Sequence, residues 1–446
     1  MSSAAPVYET SSEAFKKRFI WRLIIVLVGG MLLDGYILGI IGPVTKTLEG
    51  DLGLNATQIG AVAAMALLGI LVGSPLGGIA ADKWGRRPLF FVDISLFVIA
   101  SAMQFFAGSF EILLIIRFTM GIAIGAEYSV GWPMMSEFSP ARIRGRLMAT
   151  VNLAWFSGFA IGYTVATFAT RAGINYKLIL GSSTIIAVAL LIGRIGLPES
   201  ARWLWNVGRH DEARRVTYKY IQNPDEEVAD LERELAHASE EKKGFKELFS
   251  PNYIRATVFV SWFWFCNVLP FFGIATFAAE VLEQYGMGGF AGSIMLQVIA
   301  VVGVAVTMAL IDKAGRRVFT VPPQWITLGI FLILGLWSGA PPVLVLALFL
   351  VFSFLNAVNG VLTSVYPGEV FPTDVRGAGT GFAAAISRLG AATGTFLMPI
   401  GIEKIGIHPV MLIMAVVVAS GAIVSQLWAP ETAGKSLSET AAGFGH

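Results

Sequence analysis

Apolar stretches of about 20 residues, separated by short polar connections, run along almost the whole chain. They fall at roughly 20–44, 56–81, 88–106, 110–135, 145–169 and 175–196. After a polar gap they resume at roughly 253–279, 289–311, 318–338, 341–366, 377–400 and 406–429. About 20 apolar residues is the length an α-helix needs to cross the hydrocarbon of a bilayer. The pattern therefore predicts an all-α membrane protein with twelve transmembrane helices in two six-helix, pseudo-symmetric bundles. The first 18 residues are polar and end in Lys16, Lys17 and Arg18. The run that follows is long enough to span and lacks a small-residue cleavage site, so it reads as the first helix and not as a signal peptide. The expected organisation is a segment 1–19, a first bundle 20–197, a linker 198–250 with short helices, a second bundle 251–430 and a tail 431–446.

Composition strengthens this picture. Of 446 residues 55% are hydrophobic and only 14% charged, and the mean hydropathy is +0.70. Soluble domains carry roughly 25% charged residues, so a water-exposed surface is excluded. The 49 glycines suit helices that approach closely in lipid. The single cysteine, Cys266, excludes an intramolecular disulfide.

Basic residues mark alternate connections. One side collects Lys16, Lys17, Arg18 and Arg22, then Lys83, Arg86 and Arg87, then Arg142, Arg144 and Arg146, then Lys313, Arg316 and Arg317; the other shows only Lys46, Arg171, Lys177 and Lys404. By the positive-inside rule this places both termini and the linker in the cytoplasm of a cell-membrane protein. The halves also repeat one another. "ADKWGRR" at 81–87 recurs as "IDKAGRR" at 311–317, an offset of 230. "SEFSPARIRG" ending at Gly145 recurs as "GEVFPTDVRG" ending at Gly377, and "PES" at 198–200 as "PET" at 430–432, both at an offset of 232.

These paired motifs resemble the major facilitator superfamily, in particular its sugar-porter-like branch, which also holds bacterial carboxylate and nicotinate proton symporters. The resemblance covers essentially the whole chain. It implies two bundles that rock about a central site, and short linker helices bridging them. It also implies an inner latch of Asp82, Arg86, Arg87, Glu137 and Arg144, with a copy in Asp312, Arg316, Arg317, Glu369 and Arg376. Both glutamate–arginine pairs keep a spacing of seven. Plain orientation signals are the alternative reading of these charges.

A charge at mid-bilayer costs at least ~2.5 kcal/mol, so charges inside apolar runs mark functional positions. Asp34 in the first helix and Arg117 in the fourth lie at depths differing by about 4.5 Å at 1.5 Å per residue. Relatives pair a helix-1 aspartate with the helix-4 arginine for proton coupling. Their aspartate follows "GY", where Ile37 stands here, while Asp34 precedes that pair of residues. Asp34, Arg117 and Glu127 are the candidate proton-coupling residues, a permanent structural salt bridge being the alternative for the first two. Glu127, which resembles a glutamate of nicotinate and carboxylate symporters, could instead hold substrate or be structural. Its counterpart at an offset of 232 is Asn359. Arg388, near mid-depth in the eleventh helix, could hold a substrate carboxylate or phosphate or neutralise Glu127 or Asp34. Asp93, near the membrane's inner edge, reads as structural.

Candidate substrate contacts at the midplane are Tyr36, Asn152, Trp155, Trp264, Asn267, Gln297, Asn356, Asn359 and Arg388, with Phe156 and Trp262 as further aromatics. Amides and aromatics in a cavity suit a small ligand with several polar groups. Sugar carriers show "QQxSGxN" on helix 7 and "PW" ahead of the helix-10 glutamate; this chain has "FCNVLPFFG" and "YPGEVFP". That weakens a hexose and favours a small organic acid. The expected function is proton-coupled uptake by a monomer whose partners are a small-molecule substrate, protons and the lipid bilayer. The alternatives are a sugar or polyol symporter, a proton-coupled exporter, a passive facilitator and a carrier-like nutrient sensor. No metal cluster, nucleophile elbow or phosphate loop points to an enzyme, a cofactor or nucleic acid.

Overall fold

The computed structural model describes residues 8, 10–139, 141–237, 245–371 and 375–432, without the side chains of 141–146, 148–149 and 234–237. The first half is built from Glu13–Gly39, continued beyond Ile40 as Ile41–Leu52, then Ala56–Trp84, Arg86–Met103, Phe110–Phe138, Ala141–Arg171 and the broken pair Tyr176–Gly181 and Ser183–Arg194. The second half repeats this with Ile254–Thr276 continued by Ala278–Gln284, then Ala291–Ala314, Arg316–Leu336, Pro342–Val370, Arg376–Ile405 and Ile407–Trp428. These are spans one to twelve. Among the described residues eleven helices are long and apolar enough to cross a membrane. The fourth span, Phe110–Phe138, is 29 residues long and carries Arg117 and Glu127. Two six-helix bundles result.

Backbones meet where glycine removes the side chain, as membrane packing requires. The first span crosses the fifth this way, Gly35 lying on the Trp155 backbone and Gly158 on that of Leu32. The halves touch through the second and eleventh spans, where Gly60 lies on the Phe396 carbonyl, and through Gly42 on Thr276 at the start of the seventh-span extension.

Two faces of the molecule differ. The face opposite the basic loops, hereafter the far face, is closed by contacts between halves. Lys46 pairs with Glu283, the Tyr163 hydroxyl accepts the Ala279 N–H at 3.1 Å, and the Arg171 guanidinium lies 4.0 Å from the centre of the Phe290 ring. At the basic face the ion pairs of Arg86 and Arg316 each stay within their own half. The linker there forms Ala201–Asn206, His210–Tyr220 and Pro224–His237, then a 3-10 turn Phe245–Phe249. Its small core of Leu204, Trp205, Ala213 and Leu231 adjoins the first half through Tyr220, whose ring centre lies 4.5 Å from that of Phe19. Phe245 and Phe249 pack on Phe382 of the eleventh span.

Candidate functional site

Arg194, the last residue of the sixth span, points back into the first bundle. Its Nη1 donates to Asp93 Oδ1 at 2.7 Å and to the Phe90 carbonyl at 2.6 Å, and its Nη2 to Glu127 Oε2 at 2.5 Å. The guanidinium also lies 3.6 Å from the Phe90 ring centre. All three charged side chains are sealed, at most 1% exposed. Gly30 of the first span makes room, since a Cβ there would sit 2.5 Å from Glu127 Oε1 and 3.5 Å from Arg194 Nη2. Asp34 lies one helical turn further along. It is 0% exposed, and neither carboxylate oxygen has a hydrogen-bond partner.

The expected Asp34–Arg117 pairing is corrected here. Arg117 does not pair with Asp34; its Nη1 donates to the Ile37 carbonyl at 3.0 Å, and its Nε and Nη2 are without partners. The reason is depth. Arg117 reaches the level of residue 37, where the resemblance places an acid, and this chain carries its acid a turn away. Glu127 and Asp93, in turn, are joined by Arg194, not by Arg388, so Asp93 belongs to the network.

The second half builds the same place without charge. Gln324 Nε2 donates to Ser425 Oγ at 3.0 Å and to Asn359 Oδ1 at 3.4 Å. These lie on the ninth, twelfth and tenth spans, as Asp93, Arg194 and Glu127 lie on the third, sixth and fourth. Their offsets are 231, 231 and 232. Each half has a cavity beside its network. One, of about 10 Å³, is lined by Met31, Glu127, Gly131, Trp132 and neighbours. The other, also small at about 20 Å³, is lined by Cys266, Asn267, Gln324, Thr327, Asn356, Asn359 and Val418.

Of the predicted substrate residues, Asn267, Asn356 and Asn359 come together at the second cavity. Asn267 and Asn356 donate to each other's backbone carbonyls, at 3.2 and 2.9 Å. Asn152 crosses between halves to Ser364 Oγ at 2.9 Å. Trp155 packs on Phe156, Phe271 and Phe272, bridging the fifth and seventh spans. Arg388 also crosses, its guanidinium 5.5 Å from the centre of the Tyr128 ring. Three others lie away from both cavities. Tyr36 faces into the first bundle, bonded to Ser182 at 2.7 Å, because its helix face packs on the sixth span. Gln297 is buried and donates to the Ala275 carbonyl at 3.1 Å, occupied where the seventh span ends. Trp264 packs between apolar clusters and lines neither cavity. Trp262 turns outward, stacked on Phe265.

At the basic face the latch residues pair in a repeated pattern. Arg86 pairs with Glu137, and Arg316 with Glu369 at 3.0 Å and Asp312 at 3.2 Å. Asp82 contributes its carbonyl to the Trp203 indole N–H. The Arg317 guanidinium donates to the Ala429 and Gln426 carbonyls, and Arg376 Nε to the Phe371 carbonyl. The side chain of Arg144 lies outside the described residues. The partners not foreseen are the "PES" and "PET" residues. Glu199 accepts the N–H groups of Arg86 and Arg87 at 2.9 and 3.1 Å, and Glu431 those of Arg316 and Arg317 at 2.9 and 3.0 Å. Each is an anion at a helix N-terminus, where the free N–H groups and the dipole favour it. Ser200 and Thr432 bond the latch glutamates Glu137 and Glu369. The repeat of these motifs was the available signal. For Arg194 and Gln324, the signal was a polar residue inside or ending an apolar run.

The profile of the family described as "Sugar (and other) transporter" matches residues 23–444. The chain is 36% identical over 440 residues to the inner membrane metabolite transport protein YgcS of Escherichia coli (strain K12), covering 96% of this chain and 94% of that protein. It is 33% identical over 426 residues to the putative metabolite transport protein YaaU of the same organism, covering 94% of each. A solved structure of the proton:xylose symporter XylE from E. coli superposes with a TM-score of 0.76 at 21% identity, covering 96% of this chain and 100% of that one.

Proposed function

The chain belongs to the sugar (and other) transporter family of the major facilitator superfamily, and from that premise we propose that it takes up a small polar metabolite together with protons. It is a multi-pass membrane transporter and not an enzyme. In the proposed orientation the basic face is cytoplasmic and the far-face contacts close the outer side. The two halves, 20–197 and 251–430, rock about a site between them, joined by the linker 198–250.

The observation that carries the reading is Asp34, a fully buried carboxylate without a partner. An isolated carboxylate in low dielectric is tolerable only protonated or beside a cation. Such a group takes up a proton in one state and gives it up in another. The second-half cavity, with the amides of Asn267, Asn356 and Asn359 and the nearby Asn152 and Trp155, supplies neutral polar contacts for substrate. Arg388 stands between the halves with no ion pair among the described residues, so it is suited to an anionic substrate group. That combination favours an organic acid. The uncharged cavity by itself equally suits a sugar or polyol, and the structural neighbour XylE is a proton:xylose symporter.

Uptake into proteoliposomes across a panel of organic acids, sugars and polyols tests the proposal. Each pH unit of gradient is worth about 1.4 kcal/mol, a tenfold accumulation per proton. The wild type accumulates substrate with the gradient. Asp34→Asn keeps counterflow exchange but loses that accumulation. Arg388→Gln abolishes transport of an acid and spares that of a neutral polyol. Accumulation by the wild type that ignores the gradient ends the symport reading.

A further inference from the structure

The charged network in the first half has a neutral twin in the second, and the two cannot both be demanded by packing. Buried ion networks contribute little net stability, because desolvation offsets their attraction, and neutral replacements are commonly as good. Here the molecule itself contains the neutral version, Gln324–Asn359–Ser425, on the repeat-related spans. Something other than the fold keeps Asp93, Glu127 and Arg194 charged.

The balance of charges identifies it. Three buried carboxyls, Asp34, Asp93 and Glu127, lie in the first bundle with Arg194, which bonds Asp93 and Glu127 and not Asp34. Of the other cations, Arg117 bonds the Ile37 carbonyl a turn outward and keeps Nε and Nη2 free, and Arg388 reaches in from the other half over Tyr128. Arg194 Nε and Asp93 Oδ2 are buried without partners, so the network has spare hydrogen-bonding capacity. Gly30 lets the Glu127 carboxylate and the Arg194 guanidinium lie directly against the first-span backbone.

We propose that Arg194 is a shared counter-ion: it stays protonated throughout and shifts between the Asp93–Glu127 pair and Asp34 as Asp34 loses and regains its proton. This rests on the reading of Asp34 as the proton carrier. Arg194 is a positioning residue, since it touches no substrate. Its place also gives the shift a mechanical consequence. It ends the sixth span five residues before Glu199, which holds the start of the third span, and its helix end is tied to the first span by Arg22 bonding the Gly193 carbonyl at 3.1 Å. A change of partner at Arg194 therefore pulls on the basic-face latch.

The test transplants the neutral twin into the first half: Asp93→Gln, Glu127→Asn and Arg194→Ser together, in full-length protein reconstituted in liposomes. The expected result is retained counterflow exchange with gradient-driven accumulation reduced at least tenfold and a flattened pH profile of uptake. Accumulation at the wild-type ratio would show the network to be scaffold and overturn the proposal. Asp93→Asn, which keeps side-chain volume, is measured beside it. With one anion fewer around Arg194, more of its charge is left for Asp34, and the pH profile of uptake moves to lower pH by about one unit. An unmoved profile overturns the proposal as well. If the wild type itself shows no proton-driven accumulation, the reading of Asp34 fails; if the wild type and the transplant both show it, only the shared counter-ion fails.

Discussion

Gly42 lies where the far-face extension of the first span rests on the other half, and Gly42→Ala is the most direct perturbation of that closure. A Cβ added at residue 42 would stand 2.9 Å from the Thr276 carbonyl carbon, with the oxygen closer still. Carbon atoms pack at about 3.5–4.0 Å, and the oxygen sets the tighter limit, so the two backbones must part by more than about an ångström. Thr276 presents backbone there and not a flexible side-chain tip, so no rotamer change relieves the clash. Overpacking of this kind costs about 1–3 kcal/mol. At the upper end that shifts the ratio of far-closed to far-open molecules by about two orders of magnitude, since 1.4 kcal/mol is tenfold.

Two measurements follow. Uptake into proteoliposomes falls by tenfold or more. In a Cys266→Ser background, a cysteine introduced by Thr276→Cys, at a position 2% exposed in the closed arrangement, reacts faster with an impermeant maleimide when Gly42→Ala is present. Gly50→Ala, at a position with nothing within 4 Å of an added Cβ, is the control and changes neither. If Gly42→Ala transports at the wild-type rate with Thr276→Cys still protected, the closed joint is not part of the transport cycle and the reasoning fails.

Other consequences are smaller. Glu199→Gln removes a charged acceptor from two backbone N–H groups at the start of the third span and lowers stability by about 1–2 kcal/mol; a thermal shift assay in detergent checks this, and Glu431→Gln gives a matching loss in the second half. The Lys46–Glu283 pair is more than half exposed on both sides, so Lys46→Ala changes uptake by less than fivefold, since such pairs are worth about 0–1 kcal/mol. Its effect fades as salt is raised from 0.01 to 0.5 M, as screening requires. An effect that persists at high salt would assign Lys46 another role.

The linear pattern determined what lipid enforces. Long apolar runs must be helices, and the repeated "DKxGRR", "EVFP"-type and "PES"/"PET" motifs fixed a two-half architecture before any contact was known. The same rule made Asp34, Glu127, Arg388 and the asparagines of the seventh and tenth spans legible, because a polar side chain in an apolar run stands out by its desolvation cost alone. Partnership was not legible. Asp34 and Arg117 look matched by depth, yet Arg117 ends on the Ile37 carbonyl. Arg194, at the end of its span, resembles one more flanking arginine until the sixth helix is seen to turn it inward. Depth along a helix is a one-dimensional quantity that sequence supplies. Which acid a guanidinium reaches depends also on the rotation and crossing of each helix, and those are set by backbone contacts such as Gly30 beneath Glu127 and Gly35 on Trp155. Only the packed bundle decides them, so the charges belong to the sequence and the circuit joining them to the tertiary structure.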